Sequence, residues 1–329
     1  MTIDRNLPTP DTAVLGAVTP RERRWRERLP VISQLRQSVG LQRGMLIAGL
    51  VITGFFIVVA LLAPWLAPYS WAQQAVDGVK FGTQQPPNAT NLLGTTVSGF
   101  DVLSRVIWGS QTALLVILAA IVCSIFIGIA LGVLSGYFGG WLDRILVVVC
   151  DAIYAFPSLL LAIVMSIVIS HGRSTLAGGI WATALSITVV FVPQYFRVIR
   201  SEVVRVKSEP FVESARVIGV PIGRILVRHV LRNSTRSLPV VVTLNASEAL
   251  LTLAGLGFLG FGIEATSAAE WGYDLNRAVA DVTSGIWWTS IFPGVAIVLV
   301  VLGVTLVGES LNDLSDPRLR TRRRAGGAS

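Results

Sequence analysis

Six apolar runs alternate with polar intervals along the chain, at 45–66, 111–134, 145–170, 176–196, 238–260 and 287–307. Each holds about 20 residues or more, enough for a helix to cross roughly 30 Å of hydrocarbon. One such run would also suit a buried helix of a soluble domain. Six in succession predict an all-α integral membrane protein with six transmembrane helices. The first run is too long for the core of a cleaved secretion signal and reads as an uncleaved anchor. Pro157, within Ala155-Phe156-Pro157-Ser158, predicts a kink in the third run, because proline removes a backbone hydrogen bond.

Charge orients the spans. Of the 27 Lys and Arg residues, eight lie before residue 45, one at Arg144, nine between Arg197 and Arg236, and five after residue 310. Both termini on the cytoplasmic side place 23 of 27 inside, leaving Lys80, Arg105, Arg173 and Arg277 outside; the reverse topology would export nearly all of them. The expected organisation is an Arg-rich cytoplasmic segment 1–44, a first span 45–66, an external loop 67–110, a five-span core 111–310 with a cytoplasmic loop 197–236, and a basic tail 311–329. The stretch 22–36 fits either a surface amphipathic helix or a disordered tail. Trp287-Trp288 is expected in an interfacial aromatic belt.

Composition agrees, at 53% hydrophobic and 14% charged, with mean hydropathy +0.67. The net charge of +8 is explained by topology rather than by nucleic acid, since no basic module interleaved with aromatics occurs. Cys123 and Cys150 fall inside apolar runs and read as small hydrophobes. Lys80 and Lys207, the two lysines, each follow valine, so a G-x-x-x-x-G-K phosphate loop is impossible. His171 and His229 are expected on opposite sides of the membrane, and no H-E-x-x-H, cysteine cluster or G-x-S-x-G is present. Nothing in the sequence argues for an enzyme, a resident cofactor or a metal.

The interval 197–236 is the one compact, charged stretch between long spans. Pro210 suits a helix start, Phe211, Ala215 and Ile218 form a short apolar stripe, and Gly219 supplies a left-handed end before Pro221 restarts the chain. On the second helix Ile222, Ile225, Leu226 and Val230 share one face, while Arg224, Arg228, Arg232 and Arg236 recur every four residues on another. Such a stripe fits anionic lipid headgroups and equally a lever pushed by a soluble partner. Within the spans, Asp151 and Glu248, with Asn245, are candidates for a substrate path; Glu309 lies near a boundary. A mid-span carboxylate costs about 2.5–3.5 kcal/mol on insertion scales, so it faces protein or water. Contacts between helices, or between subunits for Glu248, account for these residues equally simply.

Glu213-Ser214-Ala215 with Gly219 resembles the E-A-A-x-x-x-G loop of ABC-importer permeases. In order around it come Leu93-Gly94-Thr95, Asp101-Val102-Leu103-Ser104-Arg105, Gly136-Tyr137-Phe138-Gly139-Gly140-Trp141-Leu142-Asp143-Arg144, Asp151 with Ala155-Phe156-Pro157, Phe258-Leu259-Gly260, Trp271-Gly272 and Asp316-Pro317-Arg318-Leu319. Over 90–320 this set resembles the C-type subunit of dipeptide, oligopeptide and nickel permeases. The resemblance implies a type I importer permease in a bacterial cell membrane, paired with a B-type permease, two ATPase subunits that carry ATP and Mg, and an extracytoplasmic binding protein. It implies an ATPase-coupling role for Glu213, Ser214, Ala215 and Gly219, with Arg216 and His229 beside them. Nickel, haem and glutathione are further substrates of such systems. Ser214 departs from the usual alanine. Arg232 stands where proline is usual, which predicts a straighter exit from the loop, and Val97-Ser98-Gly99-Phe100-Asp101 lacks the usual acidic residue and arginine. A self-sufficient channel or secondary transporter is the rival from another class, disfavoured by sparse intramembrane charge and the absence of an internal repeat. A membrane-anchored scaffold is a second.

Overall fold

The structure, a computed structural model, describes residues 41–170 and 176–315. The expectations for most of the Arg-rich segment 1–44, for His171 and Arg173, and for the tail beyond residue 315 fall outside the described residues. The long helices are α1 (Leu41–Leu61), α2 (Val102–Phe138), α3 (Gly140–Tyr154), α4 (Ser158–Ser170) and α5 (Leu176–Lys207). After α6 (Pro210–Val217) and α7, a helical run over 222–234, come α8 (Leu238–Phe258), α9 (Trp271–Thr283) and α10 (Trp288–Ser315). Among the described residues five helices are long and apolar enough to cross a membrane, and α3 with α4 makes a sixth if counted as one broken span.

The third run is therefore not a kinked helix. Its two halves meet at 100°, because the chain leaves helical geometry at Ala155–Pro157. Proline there lacks the N–H, and it biases Phe156 away from the helical region. The hydropathy boundaries also move. The second span begins at Val102, so the loop before it ends nine residues earlier than expected, and α5 continues about three turns past Arg197. The interval 197–236 thus opens as helix, not loop.

Two ends can be distinguished. At one, here the cap end, the segment 67–101 folds over the starts of α2 and α10 and over α9. It includes a two-residue hairpin, Ala75–Val76 with Val79–Lys80, whose Asp77-Gly78 turn has both φ angles positive, the preference of type I′ turns. Asp101 caps α2 by accepting from Ser104 N at 2.7 Å and receives Asn91 Nδ2 at 3.0 Å. Buried Arg105 gives Nε to both oxygens of Asp274 at 2.7 and 2.8 Å and Nη1 to Trp71 O at 3.1 Å. Glu270, also buried, caps α9 by accepting from Gly272 N and Tyr273 N at 2.8 and 2.7 Å. Burial lifts its carboxyl to about 8, against the opposing pull of those two N–H groups. Trp288 is buried and donates to Thr95 O at 3.3 Å; Trp287 alone is exposed, so the expected aromatic belt is half a structural anchor.

The core runs between α2 and α5, which lie parallel. Thr112, Val116, Ala120, Ser124, Gly128, Gly132 and Gly136 recur every four residues on α2, and all are buried. Opposite them a Cβ on Gly128, Gly132 or Gly136 would lie 2.4, 2.9 or 2.9 Å from atoms of Tyr195, Ile199 and Val203. The absence of side chains lets the backbones touch, the way helices pack where no hydrophobic effect drives them together. Ser124 Oγ adds a hydrogen bond to Thr188 O at 3.2 Å. Cys150 is buried and Cys123 half-buried; both are free.

Candidate functional site

The second end, here the basic end, holds the interval singled out by charge. Its foundation is the stretch joining α2 to α3. Gly139 and Gly140 both have positive φ and turn the chain so that Asp143 faces α5. There Asp143 accepts from Arg200 Nε and Nη2 at 2.6 and 2.7 Å and from Ser135 Oγ. Lys207, the last residue of α5, donates to Gly136 O at 2.8 Å. The two parallel helices are tied together where they end.

α6 stands on this foundation. Glu209 lies at its N-cap without making a side-chain cap, and Pro210 occupies the first turn. The helix buries Val212 and Ala215, not the expected stripe of Phe211, Ala215 and Ile218. The residue after the helix, Ile218, is 77% exposed and Val217 83%. At the C-terminal end Gly219 has φ +77. Its N–H donates to Arg216 O at 3.0 Å, and Val220 N donates to Ala215 O, also at 3.0 Å. These two bonds form a Schellman cap, completed by Val220 packing against the core. The Arg216 guanidinium lies 5.2 Å from the centre of the Tyr137 ring, which connects α6 to the end of α2.

α7 widens to a π-helix over Ile225–Leu231. Residues five apart then share a face: Ile225 and Val230 are buried, Leu226 is half-buried, and Ile222 of the expected apolar face is exposed. Arg224, Arg228, Arg232 and Arg236 are all exposed, but only the first three lie on α7; Arg236 falls in the turn after it, so the stripe predicted for the second helix ends one arginine short. His229 places its ring 6.3 Å from that of Phe211, so it braces α6 against α7. Arg232, where a straighter exit is expected, continues the helical run to Ser234, and a turn over 235–237 follows before Pro239 enters the first turn of α8.

The sequence-predicted coupling residues therefore divide. Glu213, Ser214 and Arg216 are exposed. Among the described residues the Glu213 carboxylate has no side-chain partner and caps no helix; Ser214 Oγ returns to Pro210 O at 2.9 Å. Ala215 and Gly219 set the helix on its base and end it. Sequence reading missed Tyr137, Arg200 and Lys207 as supports and Val217 as surface. Tyr137 lies in a stretch quoted above only as a family mark, and the charged pairs join residues far apart in the chain.

The substrate-path candidates are not brought together. Asp151 pairs with Arg197 Nη2 at 2.7 Å, both side chains about half exposed, and Arg197 lies 4.2 Å over the Tyr154 ring. Asn245 is buried, with its side chain beside the Tyr195 hydroxyl of α5. Glu248 stands in the middle of α8 and lines a cavity of about 190 Å³ with Tyr154, Ser158 and Gln194 among its walls.

Comparison with known sequences decides what this arrangement belongs to. The profile of the family described as "Binding-protein-dependent transport system inner membrane component" matches residues 128–321, and that of the "N-terminal TM domain of oligopeptide transport permease C" matches 42–87. The chain belongs to this permease family. It is a subunit of an ABC importer with the type I permease fold, a multi-pass component of a bacterial cell membrane. Among its relatives, the "Dipeptide transport system permease protein DppC" of Alkalihalophilus pseudofirmus is 34% identical over 98% of this chain and 97% of its own length. The "Glutathione transport system permease protein GsiD" of Pectobacterium atrosepticum is 31% identical over 92% and 93%. Its namesake from an Escherichia coli O6 strain is 35% identical over 80% and 83%.

Proposed function

We propose that this permease imports di- or oligopeptides, that its basic end is cytoplasmic, and that α6 is the element through which an ATPase subunit moves it. The single observation carrying the coupling role is the form of α6: a short helix seated on α2 and α5, with Glu213, Arg216, Val217 and Ile218 turned outward. Charge on one side and exposed apolar groups at the tip are what a groove on a soluble partner would bury. A rigid helix held by a Schellman cap, an ion-paired base and a cation–π contact transmits displacement; a flexible loop would absorb it.

The rest of the assembly follows from the family. A second, B-type permease completes the pathway, two ATPases hold ATP and Mg, and a binding protein delivers substrate at the cap end. The positive-inside count supports this orientation, with both termini cytoplasmic. Peptides are favoured as substrate because the relatives are named for dipeptide and glutathione transport. Both solutes are small and carry a free amino group.

Gly219→Pro tests the coupling reading. Proline cannot adopt φ +77 and has no N–H for Arg216 O, so the cap of α6 is lost. In reconstituted vesicles, substrate-stimulated ATP hydrolysis falls at least roughly tenfold, more than 1 kcal/mol of coupling, while membrane insertion stays normal. Unchanged coupling would exclude α6 as the contact.

A further inference from the structure

Glu248 is the mid-span carboxylate of α8, and no side chain among the described residues answers it. Among the described residues its side chain has neither an ion pair nor a hydrogen bond, although the backbone around it is satisfied, Thr252 Oγ1 donating to its carbonyl at 2.9 Å. The carboxylate instead faces the cavity of about 190 Å³, far larger than the roughly 30 Å³ share of one water. That cavity lies where the broken span turns, with Tyr154 and Phe156 at the end of α3 and Ser158 opening α4. Gln194 of α5 closes another side. Non-helical backbone at membrane depth is tolerated where it lines a cavity, and transporters place substrate at such breaks.

The lining specifies a ligand class. Glu248, Tyr154, Ser158 and Gln194 offer four side-chain acceptors, and no lysine or arginine lines the space. Arg197, over the Tyr154 ring, is already paired with Asp151, so that pair adds no net charge beside the Glu248 carboxyl. An ammonium group has three donors and no acceptor, and it is attracted by the aromatic rings of Tyr154 and Phe156. An anionic group would meet the Glu248 carboxylate with no lysine or arginine in the lining to offset it, and Ile153, Leu161 and Val190 supply apolar wall for a short side chain.

We propose that this cavity is a station on the translocation pathway in which Glu248 receives the protonated amino group of the passing peptide, with Tyr154, Ser158 and Gln194 as its remaining acceptors. The proposal rests on the peptide reading given above. A single transient ion pair of this kind suits passage, since it must hold the solute in the spans without retaining it.

The test uses the complete assembly, with its second permease, ATPases and binding protein, in proteoliposomes supplied with dialanine or glutathione. Uptake by the wild type tests the peptide reading; the ratio of variant to wild type tests the station. Glu248→Gln is expected to lower uptake about tenfold, the scale of one charge-assisted contact, with subunit composition and basal ATP hydrolysis unchanged, while Glu248→Asp retains most of it. Wild-type uptake with an unaffected Glu248→Gln overturns the station alone. So does equal loss in the Asp and Gln variants, or loss of the second permease during purification of Glu248→Gln, which would make the residue a subunit contact. A wild type that moves neither solute defeats both readings.

Discussion

Glu270 is a single residue on which three demands meet. It must cap α9, it is buried, and it lies against Gly257, where a Cβ would come 1.7 Å from its Oε2. Gly257→Ala therefore displaces the carboxyl and both of its N–H bonds, at a cost of about 1–3 kcal/mol, readable as a lower melting temperature in detergent. The same site predicts a pH dependence. Its carboxyl, held at about 8 in the folded protein, sits near 4.5 when unfolded, so the folded state binds the proton more tightly. The stabilisation is complete below pH 4.5 and is lost as pH rises through 8. Melting temperature is expected to fall by roughly 4 °C or more between about pH 6 and 9, and Glu270→Gln to flatten that slope; an equal slope in the variant would place the titration elsewhere. None of this is legible in the sequence, where Asp151, Glu248 and Glu309 stand out because they lie in or beside apolar runs. Burial at the cap end comes from segments folding over one another, as Arg105 and Asp274 show across 169 positions, and no local pattern announces it.

At the scale of elements, hydropathy located the six apolar runs but not the ends of their helices, and it gave no sign of α9. A hydropathy window stops α5 at Arg197, yet arginine is a good helix former, and Arg197 and Arg200 project to Asp151 and Asp143 without breaking the helix. Pro157 was visible, but a proline predicts a kink and a break equally well. The bend reaches 100° because α3 also carries a polar face that binds it across α5. The glycine register of α2 was open to reading in Gly128, Gly132 and Gly136, four apart, a spacing overlooked beside the stronger motifs. It makes a prediction of its own. Gly132→Leu forces α2 from Ile199 and destabilises the protein by about 1–3 kcal/mol or more. Ala130→Leu, on the exposed side of the same helix, is neutral. Comparing the two in thermal unfolding followed by tryptophan fluorescence separates helix packing from a general effect of added bulk.

For the whole molecule, the sidedness proposed from charge makes the simplest test. With Cys123 and Cys150 replaced by alanine, Ala89→Cys in the cap should react with an impermeant maleimide in intact cells, and Arg228→Cys in α7 only after permeabilisation. The reverse pattern would invert the molecule and exclude α6 as a cytoplasmic contact. The motif proposed for coupling is legible because it is local: a proline start, a glycine stop and eight residues between. What supports it was not, since Tyr137, Asp143, Arg200 and Lys207 come from three other helices, α2, α3 and α5.

The zipped pair of α2 and α5 has a mechanical consequence. Helices in backbone contact along a glycine register, tied at one end by Lys207–Gly136 and through Asp143 to both Ser135 and Arg200, are held from bending independently over their shared length, so they would move as one rod with α6 as its proposed handle. A rod of 37 residues is roughly 55 Å long. Tilting its handle through about 10° swings the opposite tip by about 10 Å, the width of a helix. Compliance must then reside in the joints the rod leaves outside itself, at Ala155–Pro157 and at 235–237, and the first of these borders the cavity of Glu248. A small stroke at the handle would thus be amplified at the far tip while the crease beside that carboxylate opens and closes.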